Sequence, residues 1–186
     1  MTANILVTYA SRTGSTIGVA NAIGSALMDN GLQTSVYPMS DINDLSGYDA
    51  IVAGSAIREG QWLPEALDFI RAHQAVLMTK PFASFMVCMT MAMNNPKAPD
   101  MVREWMRPVR QMVKPVSEGY FAGILDISKV PTMRQRLLFR MSVLAGVWTE
   151  GDHRDWGAIR AWANSLPALL YADSPNFAAV AGSVTG

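Results

Sequence analysis

The sequence of 186 residues predicts one α/β domain built on a parallel five-stranded sheet. Short runs of β-forming residues alternate with segments whose apolar residues recur every three or four positions, and this alternation is typical of right-handed βαβ units. The composition is 50% hydrophobic and only 16% charged, which favours a packed globular protein over a disordered one. The length suits a single domain with a sizeable core and is short for two.

The first two predicted strands flank a helix. Residues 5–10 form an apolar run that suits a strand buried on both faces. One apolar helix face follows at spacings of three and four: Ile17, Ala20, Ile23 and Leu27. Asn30 and Gly31 are a typical helix end. Residues 34–37 are more polar, so we expect that strand at the edge of the sheet.

The rest of the chain continues the alternation. Further strands are predicted at residues 48–55, 82–89 and 120–125. Helices are predicted at 63–76, at 99–113 with a disturbance at Pro108, and from an N-cap at Asp152 to near Pro167. We expect residues 1–171 to form one doubly wound domain with helices on both faces of the sheet, and residues 172–186 to be a flexible tail. Ligands of this fold bind beyond the carboxyl ends of the strands.

Residues 131–147 do not belong to the simple alternation. Apolar residues recur there at helical spacing beside three arginines: Leu137, Leu138, Met141, Leu144 and Ala145, with Arg134, Arg136 and Arg140. A basic amphipathic helix of this kind can lie on a membrane surface or on a partner protein. We favour the alternative that its apolar face packs on the domain, because a hydrophobic stripe on a short helix usually faces a core.

Charge and cysteine content limit the partners and the compartment. Fifteen basic residues balance fifteen acidic ones, so no nucleic-acid partner is indicated, although residues 103–140 hold eight basic residues against three acidic ones. Cys88 is the only cysteine, which suits a reducing compartment. No signal peptide pattern and no apolar run of about 18 residues is visible. We therefore expect a cytoplasmic protein that is either soluble or associated with a membrane surface. Neither histidine has metal-ligand spacing to other ligands, so no metal site is predicted.

The loop after the first strand is the strongest functional signal. Hydroxyl side chains and one glycine stand between a buried strand and a helix N-terminus: Ser11, Thr13, Gly14, Ser15 and Thr16. Unpaired N–H groups and the helix dipole favour an anion there, and Gly14 lets the backbone approach a phosphate. Arg12 either adds charge or is a surface arginine. The loop lacks the Gly-Lys-Ser/Thr ending of a nucleotide triphosphatase loop and the Gly-x-Gly-x-x-Gly of a dinucleotide site. A helix cap needs only one suitable residue, whereas every position from 11 to 16 except Arg12 is small, polar or hydroxylic, so a phosphate site is predicted over a simple helix cap.

These residues resemble a known family. Ser11-x-Thr13-Gly14-x-Thr16 is similar to the FMN-phosphate signature of the flavodoxin family. Residues 54–60 and 121–126 resemble segments of its branch of flavodoxin-like bacterial protoporphyrinogen oxidases. The resemblance implies a flavodoxin-like fold, with five parallel strands in the order 2-1-3-4-5, and FMN as the cofactor.

By the same resemblance, the loop after the third strand flanks the isoalloxazine ring. The residues implied are Ser55, Ala56, Ile57, Arg58, Glu59, Gly60 and Trp62. Gly60 can flip its peptide and turn a carbonyl towards flavin N5–H. Trp62 either stacks on the ring or packs against the next helix. Arg58 either faces an anionic reduced flavin or an acidic substrate, or is a solvated charge.

The loop after the fourth strand is expected to cover the other side of the flavin. It comprises Thr90, Met91, Ala92, Met93 and Asn94. Many family members carry an aromatic residue in this loop and this sequence does not, so we expect a more open flavin. The methionines can contact a ring through sulfur, but a core role is the favoured alternative. Cys88 is expected to be buried and inert.

The predicted function is that of an FMN redox protein. Electron-carrier flavodoxins that resemble it are usually strongly acidic, whereas this chain is neutral with a basic segment. We therefore favour an oxidoreductase, protoporphyrinogen oxidase-like, that passes electrons between a hydrophobic or acidic substrate and a quinone or other acceptor. The alternatives are a one-electron carrier with a redox partner protein and a non-redox binding module. No catalytic residue is assigned.

Overall fold

A computed structural model describes residues 3–93, 96–129, 132–146 and 149–172. Its strands are β1 Asn4–Ala10, β2 Gln33–Pro38, β3 Ala50–Arg58, β4 Gln61–Trp62, β5 Phe82–Val87, β6 Ser117–Phe121, β7 Ile124–Leu125 and β8 Gly151–Asp152. Its α-helices are α1 Ser15–Asp29, α2 Pro64–Ala72, α3 Gln74–Leu77, α4 Ala98–Trp105, α5 Arg107–Met112, α6 Met133–Leu144 and α7 Trp156–Leu170. Short 3-10 turns cover Met39–Asp41, Met89–Ala92 and Ile127–Lys129.

Five parallel strands form the main sheet in the order β2-β1-β3-β5-β6. Counting only these parallel strands, this is the predicted order 2-1-3-4-5, and the prediction is confirmed. Two details were not predicted. β4 adds a short antiparallel strand to the end of β3, and the predicted strand 120–125 breaks after Phe121, so that β7 pairs with β8 in a separate small sheet.

The core lies in two layers, one on each face of the sheet. Alternate residues of a strand point to opposite faces, so Val7 packs with α1 and α7 while its neighbour Leu6 packs with the helices α2, α4 and α5. On the first face Ile23 and Ile159 are fully buried, and on the second Ile70 is. These two layers hold the carboxyl ends of β1, β3 and β5 side by side.

Helix boundaries depart from the prediction at prolines and caps. The predicted helix 99–113 divides at Met106 into α4 and α5. Proline breaks the interior of a helix but is tolerated in its first turn, and Pro108 lies in the first turn of α5. The last helix is capped by Asp155, whose carboxylate accepts a hydrogen bond from the backbone N–H of Ala158 at 2.9 Å. Asp152 therefore is not the N-cap. Pro167 lies inside α7, which continues to Leu170.

The segment predicted as an insertion contains α6, as expected, but its packing differs from the favoured alternative. No residue of α6 is buried, and Leu137, Leu138, Met141 and Leu144 are exposed. The apolar side of the helix thus faces away from the domain. Residues 131 and 147 of this segment and the predicted tail from residue 173 onward lie outside the described residues. Among the described helices, none is long and apolar enough to cross a bilayer.

Candidate functional site

A cleft of about 470 Å³ opens at the carboxyl ends of β1, β3 and β5. This is the position at which doubly wound sheets bind ligands, and the volume lies within the usual range of about 300–1,000 Å³ for small-molecule sites. Six parts of the chain supply most of its lining: the loop after β1, the β3–β4 hairpin, the end of β5, the segment 123–126, and the helices α4 and α6. Three of these parts were predicted from sequence.

The loop after β1 has the geometry of an anion site. Gly14 has a φ of +92°, a left-handed conformation that favours glycine, and a Cβ at that position would meet no atom within 4 Å. Its N–H donates to Ser11 Oγ at 3.2 Å. α1 starts at the next residue with no side-chain cap and no acidic residue in its first turn. Its first N–H groups and the helix dipole therefore favour a negatively charged ligand.

The hydroxyls of this loop differ in their surroundings. Thr13 and Ser15 line the cleft, whereas Thr16 is fully buried behind them. Thr16 Oγ1 has no hydrogen-bond partner among the described residues. A buried hydroxyl without a partner is costly, and a phosphate oxygen is an acceptor that would satisfy it. These residues therefore fit a phosphate group.

Arg12 makes an ion pair that the sequence did not reveal. Its two terminal nitrogens contact the two carboxylate oxygens of Glu65 at 2.9 and 3.0 Å, in a bidentate arrangement. Both side chains are about half exposed. Although Arg12 lines the cleft, its charge is matched by Glu65, which supports a role in fixing the loop against α2 more than a contact with phosphate.

The β3–β4 hairpin forms a second wall of the cleft. Ala56, Ile57, Arg58, Glu59 and Gly60 line it. Glu59 and Gly60 have φ values of +53° and +74°, as a two-residue hairpin turn with two left-handed positions requires. Ser55 is buried behind this wall and does not line the cleft. Its Oγ accepts a hydrogen bond from the N–H of Leu63 at 3.1 Å and donates one to the carbonyl of Ala56 at 2.7 Å. Ser55 thus holds the hairpin.

The aromatic residue beside this hairpin is Trp105 instead of Trp62. Trp62 is only 2% exposed and packs in the core, which favours the packing alternative left open by the sequence. Trp105, at the end of α4, lines the cleft. A Cβ at Gly60 would lie only 3.0 Å from its indole nitrogen. Gly60 is therefore needed both for its backbone conformation and for the close approach of the indole ring.

The loop after β5 contributes fewer residues than predicted. Met89 and Thr90 line the cleft, and Met91 packs against the core. Ala92 and Met93 follow in the same turn but are not part of the cleft lining, and Asn94 lies outside the described residues.

Cys88 also lines the cleft at the end of β5. Its thiol is buried, and burial raises its pKa from 9.0 to about 11. The thiol is therefore protonated near neutral pH and is a poor nucleophile, as the sequence suggested.

The third wall of the cleft was not predicted from the sequence. It consists of residues 123–126 together with Gln135 and Phe139 of α6. A Cβ at Gly123 would lie 3.3 Å from Ser15 Oγ, so this segment closely approaches the phosphate loop. The resemblance at residues 121–126 was a signal for the first part. No local signal marked Gln135 and Phe139, because their contribution depends on how α6 folds back.

Within the described residues, no group of histidine, cysteine, aspartate and glutamate side chains is placed to hold a metal ion. The arrangement is that of a doubly wound α/β protein whose first helix has, at its N-terminus, the geometry of a phosphate site.

Comparison with known proteins identifies the family. The family described as "Flavodoxin domain" matches residues 6–150, so the chain belongs to the flavodoxin family. Its cofactor is FMN, and it is a redox protein that works with a redox partner.

Individual relatives are distant. A protoporphyrinogen IX dehydrogenase [quinone] of Leishmania major is 24% identical over 180 residues, which cover 91% of this chain and 77% of that protein. Flavodoxin 2 of Bacillus cereus is 25% identical with a TM-score of 0.50, covering 77% of this chain and 99% of its own. A flavodoxin of Streptococcus pneumonia is 16% identical with a TM-score of 0.53, covering 89% and 99%. This last likeness shows the fold alone.

Proposed function

We propose that this protein is an FMN-dependent oxidoreductase that oxidises a hydrophobic or acidic substrate of the porphyrinogen class and passes the electrons to a quinone or another acceptor. The observation that carries the proposal is the third wall of the cleft. Gln135 and Phe139 come from a helix that the simple alternation of the fold does not need, and they extend the cleft beyond the FMN-binding loops.

The walls of the cleft suit a large apolar molecule with carboxylates. Trp105 and Phe139 provide aromatic surface, on which a flat ring system can pack. Arg58 lines the cleft with its side chain 48% exposed, and its closest described carboxylate is that of Glu59, at 4.0 Å. This weak ion pair leaves the guanidinium able to bind a substrate carboxylate in a bidentate way.

The division of work among the residues follows from their positions. FMN, when bound, accepts and returns electrons. Thr13, Ser15 and Thr16 hold its phosphate, and Gly60 and Trp105 border its ring. Arg58 orients the substrate. The thiol of Cys88 stays protonated, so no part of the proposed reaction is assigned to it.

Two further observations support an enzyme over an electron carrier. The Leishmania major relative is a quinone-linked dehydrogenase of protoporphyrinogen IX, and the match covers most of both chains. The formal net charge of zero also differs from the acidic surface that a carrier uses to dock basic reductases. We propose that the protein works in the cytoplasm, in peripheral contact with a membrane that carries the quinone.

The test is the oxidation of protoporphyrinogen IX by the FMN-loaded protein under anaerobic conditions, with menaquinone as acceptor. Porphyrin fluorescence should rise faster than in a protein-free control. Arg58→Gln should raise the KM for the porphyrinogen by roughly tenfold, the value of one charge-assisted hydrogen bond. Arg71→Gln is the matched control, because Arg71 is exposed on α2, pairs with Asp68 and does not line the cleft.

The outcomes separate the alternatives. A rate equal to that of the protein-free control refutes the proposed reaction. If the protein fails in this assay but its reduced flavin transfers electrons rapidly to a one-electron acceptor protein, the carrier function replaces the proposal. An equal KM for Arg58→Gln and Arg71→Gln refutes the role assigned to Arg58.

A further inference from the structure

The outer side of α6 is an apolar surface. Five large hydrophobic side chains of this helix are more than half exposed: Met133 at 78%, Leu137 at 61%, Leu138 at 56%, Met141 at 59% and Leu144 at 88%. At 3.6 residues per turn, four of them lie within roughly 80° of one another: Met133, Leu137, Met141 and Leu144. Large contiguous apolar surfaces are uncommon on monomeric proteins and mark sites of interaction. We call these five residues the outer face of α6.

The opposite side of the same helix belongs to the cleft. Gln135 and Phe139 line the main cleft, and they also line a shallow depression of about 180 Å³ with Leu138 and Ser142. Because Leu138 is part of the outer face, the depression connects the cleft with that face. The depression and the cleft share Gln135 and Phe139 as lining residues, so the outer face borders the cleft along this side of α6.

The charge around the outer face is positive. Residues 127–149 contain four basic residues and no acidic one. Arg134 and Arg140 are both exposed on α6. Large apolar side chains flanked by arginines on a helix that protrudes from a domain are the features of helices that lie in the headgroup region of a bilayer. Anionic lipids complement this positive charge. The row of apolar side chains on one helix is too narrow to form a stable protein–protein interface, which buries about 1,000 Å² or more.

We propose that the outer face of α6 binds an anionic lipid surface and that lipid-borne substrate enters the cleft past Leu138 and Phe139. The second part rests on the proposed function. In this arrangement one helix both anchors the protein and forms the cleft wall, so the mouth of the cleft lies at the membrane, where quinones are dissolved.

The first test is binding of the FMN-loaded protein to vesicles of phosphatidylcholine with and without phosphatidylglycerol. Co-sedimentation should require phosphatidylglycerol and should fall as salt is raised, because screening weakens the attraction of the arginines for the lipid headgroups. Absence of co-sedimentation with phosphatidylglycerol vesicles at low salt overturns the proposal.

Variants assign the binding to α6. Arg134→Gln/Arg140→Gln should lower the partition coefficient about 25-fold, at about fivefold for each charge. Leu137→Ser/Leu144→Ser should lower it by roughly tenfold or more, since both side chains leave water on binding. The matched controls are Arg71→Gln/Arg160→Gln, which removes two exposed charges from α2 and α7, and Met78→Ser, which removes an exposed apolar side chain. Equal losses in the variants and the controls overturn the assignment.

Three readouts keep the outcomes distinct. All variants change exposed residues, and retention of bound FMN checks that each is folded. If light scattering shows a dimer that Leu137→Ser/Leu144→Ser dissociates, the face joins two copies of the chain and the lipid proposal is wrong. Turnover with a water-soluble short-chain quinone should be unchanged in the α6 variants, whereas turnover with menaquinone in vesicles should fall. If no quinone is reduced but vesicle binding persists, the proposed function fails and the lipid-binding face stands.

Discussion

Replacing Thr16 by valine removes one buried hydroxyl and keeps nearly the same shape. Thr16 is fully buried, and its Oγ1 has no partner among the described residues. A buried polar group without a hydrogen bond costs about 1–3 kcal/mol, so we expect Thr16→Val to stabilise the FMN-free protein by about 1 kcal/mol or more. The same change should weaken FMN binding, because the phosphate loses a donor.

The size of the second effect follows from the charge on the phosphate. A hydrogen bond to a charged group contributes about 1.5–3 kcal/mol, which corresponds to a roughly 10- to 150-fold higher Kd for FMN. Urea unfolding of the FMN-free protein measures the stability, and quenching of flavin fluorescence on titration measures the Kd. The two measurements should move in opposite directions.

Thr8→Val is the matched control. Thr8 is also fully buried with an unpartnered Oγ1, but it lies within the strand β1 and not in the first turn of α1, where the phosphate is expected. Thr8→Val should stabilise the protein and leave the Kd for FMN unchanged. If Thr16→Val and Thr8→Val have the same Kd, the Thr16 hydroxyl does not face the phosphate. If Thr16→Val destabilises the FMN-free protein, the hydroxyl has a partner in solution.

Three other predictions concern the cleft and its supports. Trp105→Leu should raise the Kd for FMN through a loss of about 0.5–1.5 kcal/mol of aromatic contact, measured by the same titration; an unchanged Kd would remove Trp105 from the flavin site. Gly54→Ala should destabilise the fold by about 1–3 kcal/mol or more in urea unfolding, because the new Cβ would lie 2.1 Å from the ring of Phe85; wild-type stability would show that Phe85 moves freely. Because burial raises the pKa of Cys88 from 9.0 to about 11, its contribution to stability is complete below pH 9 and is lost as the pH rises through about 11. Cys88→Ala should therefore lose less stability than the wild type between pH 9 and 11, and parallel pH profiles would contradict the raised pKa.

Much of the fold was predictable because it is encoded in local patterns. A buried strand, a loop of hydroxyl residues and an amphipathic helix follow one another within residues 5–27, and this succession alone indicates an anion site at a helix N-terminus. Parallel strands joined by right-handed crossovers leave few topologies, and the resemblance to the flavodoxin family supplied the strand order among them. The start of a helix was less predictable where two residues could serve as its N-cap. For α7, Asp152 and Asp155 are equally good candidates in sequence, and only the hydrogen bond from the N–H of Ala158 selects Asp155.

The site beyond the phosphate loop could be predicted only in part. Trp62 and Trp105 were both visible as aromatic residues, but no local pattern tells which of them faces the cleft. The answer depends on how α4 packs beside the hairpin at Gly60. Arg12 was considered for the phosphate because it lies in the loop, and its partner Glu65 is 53 residues away along the chain.

The sequence by itself determined that this protein is a doubly wound α/β domain, and it predicted a phosphate site after the first strand, because each of these features is carried by neighbouring residues. Only the tertiary structure decided that Trp105 borders the cleft and that α6 turns Phe139 inward and its leucines outward. A hydrophobic stripe has the same spacing whether it faces a core or the solvent. Its direction is set by the contacts that the rest of the chain leaves available.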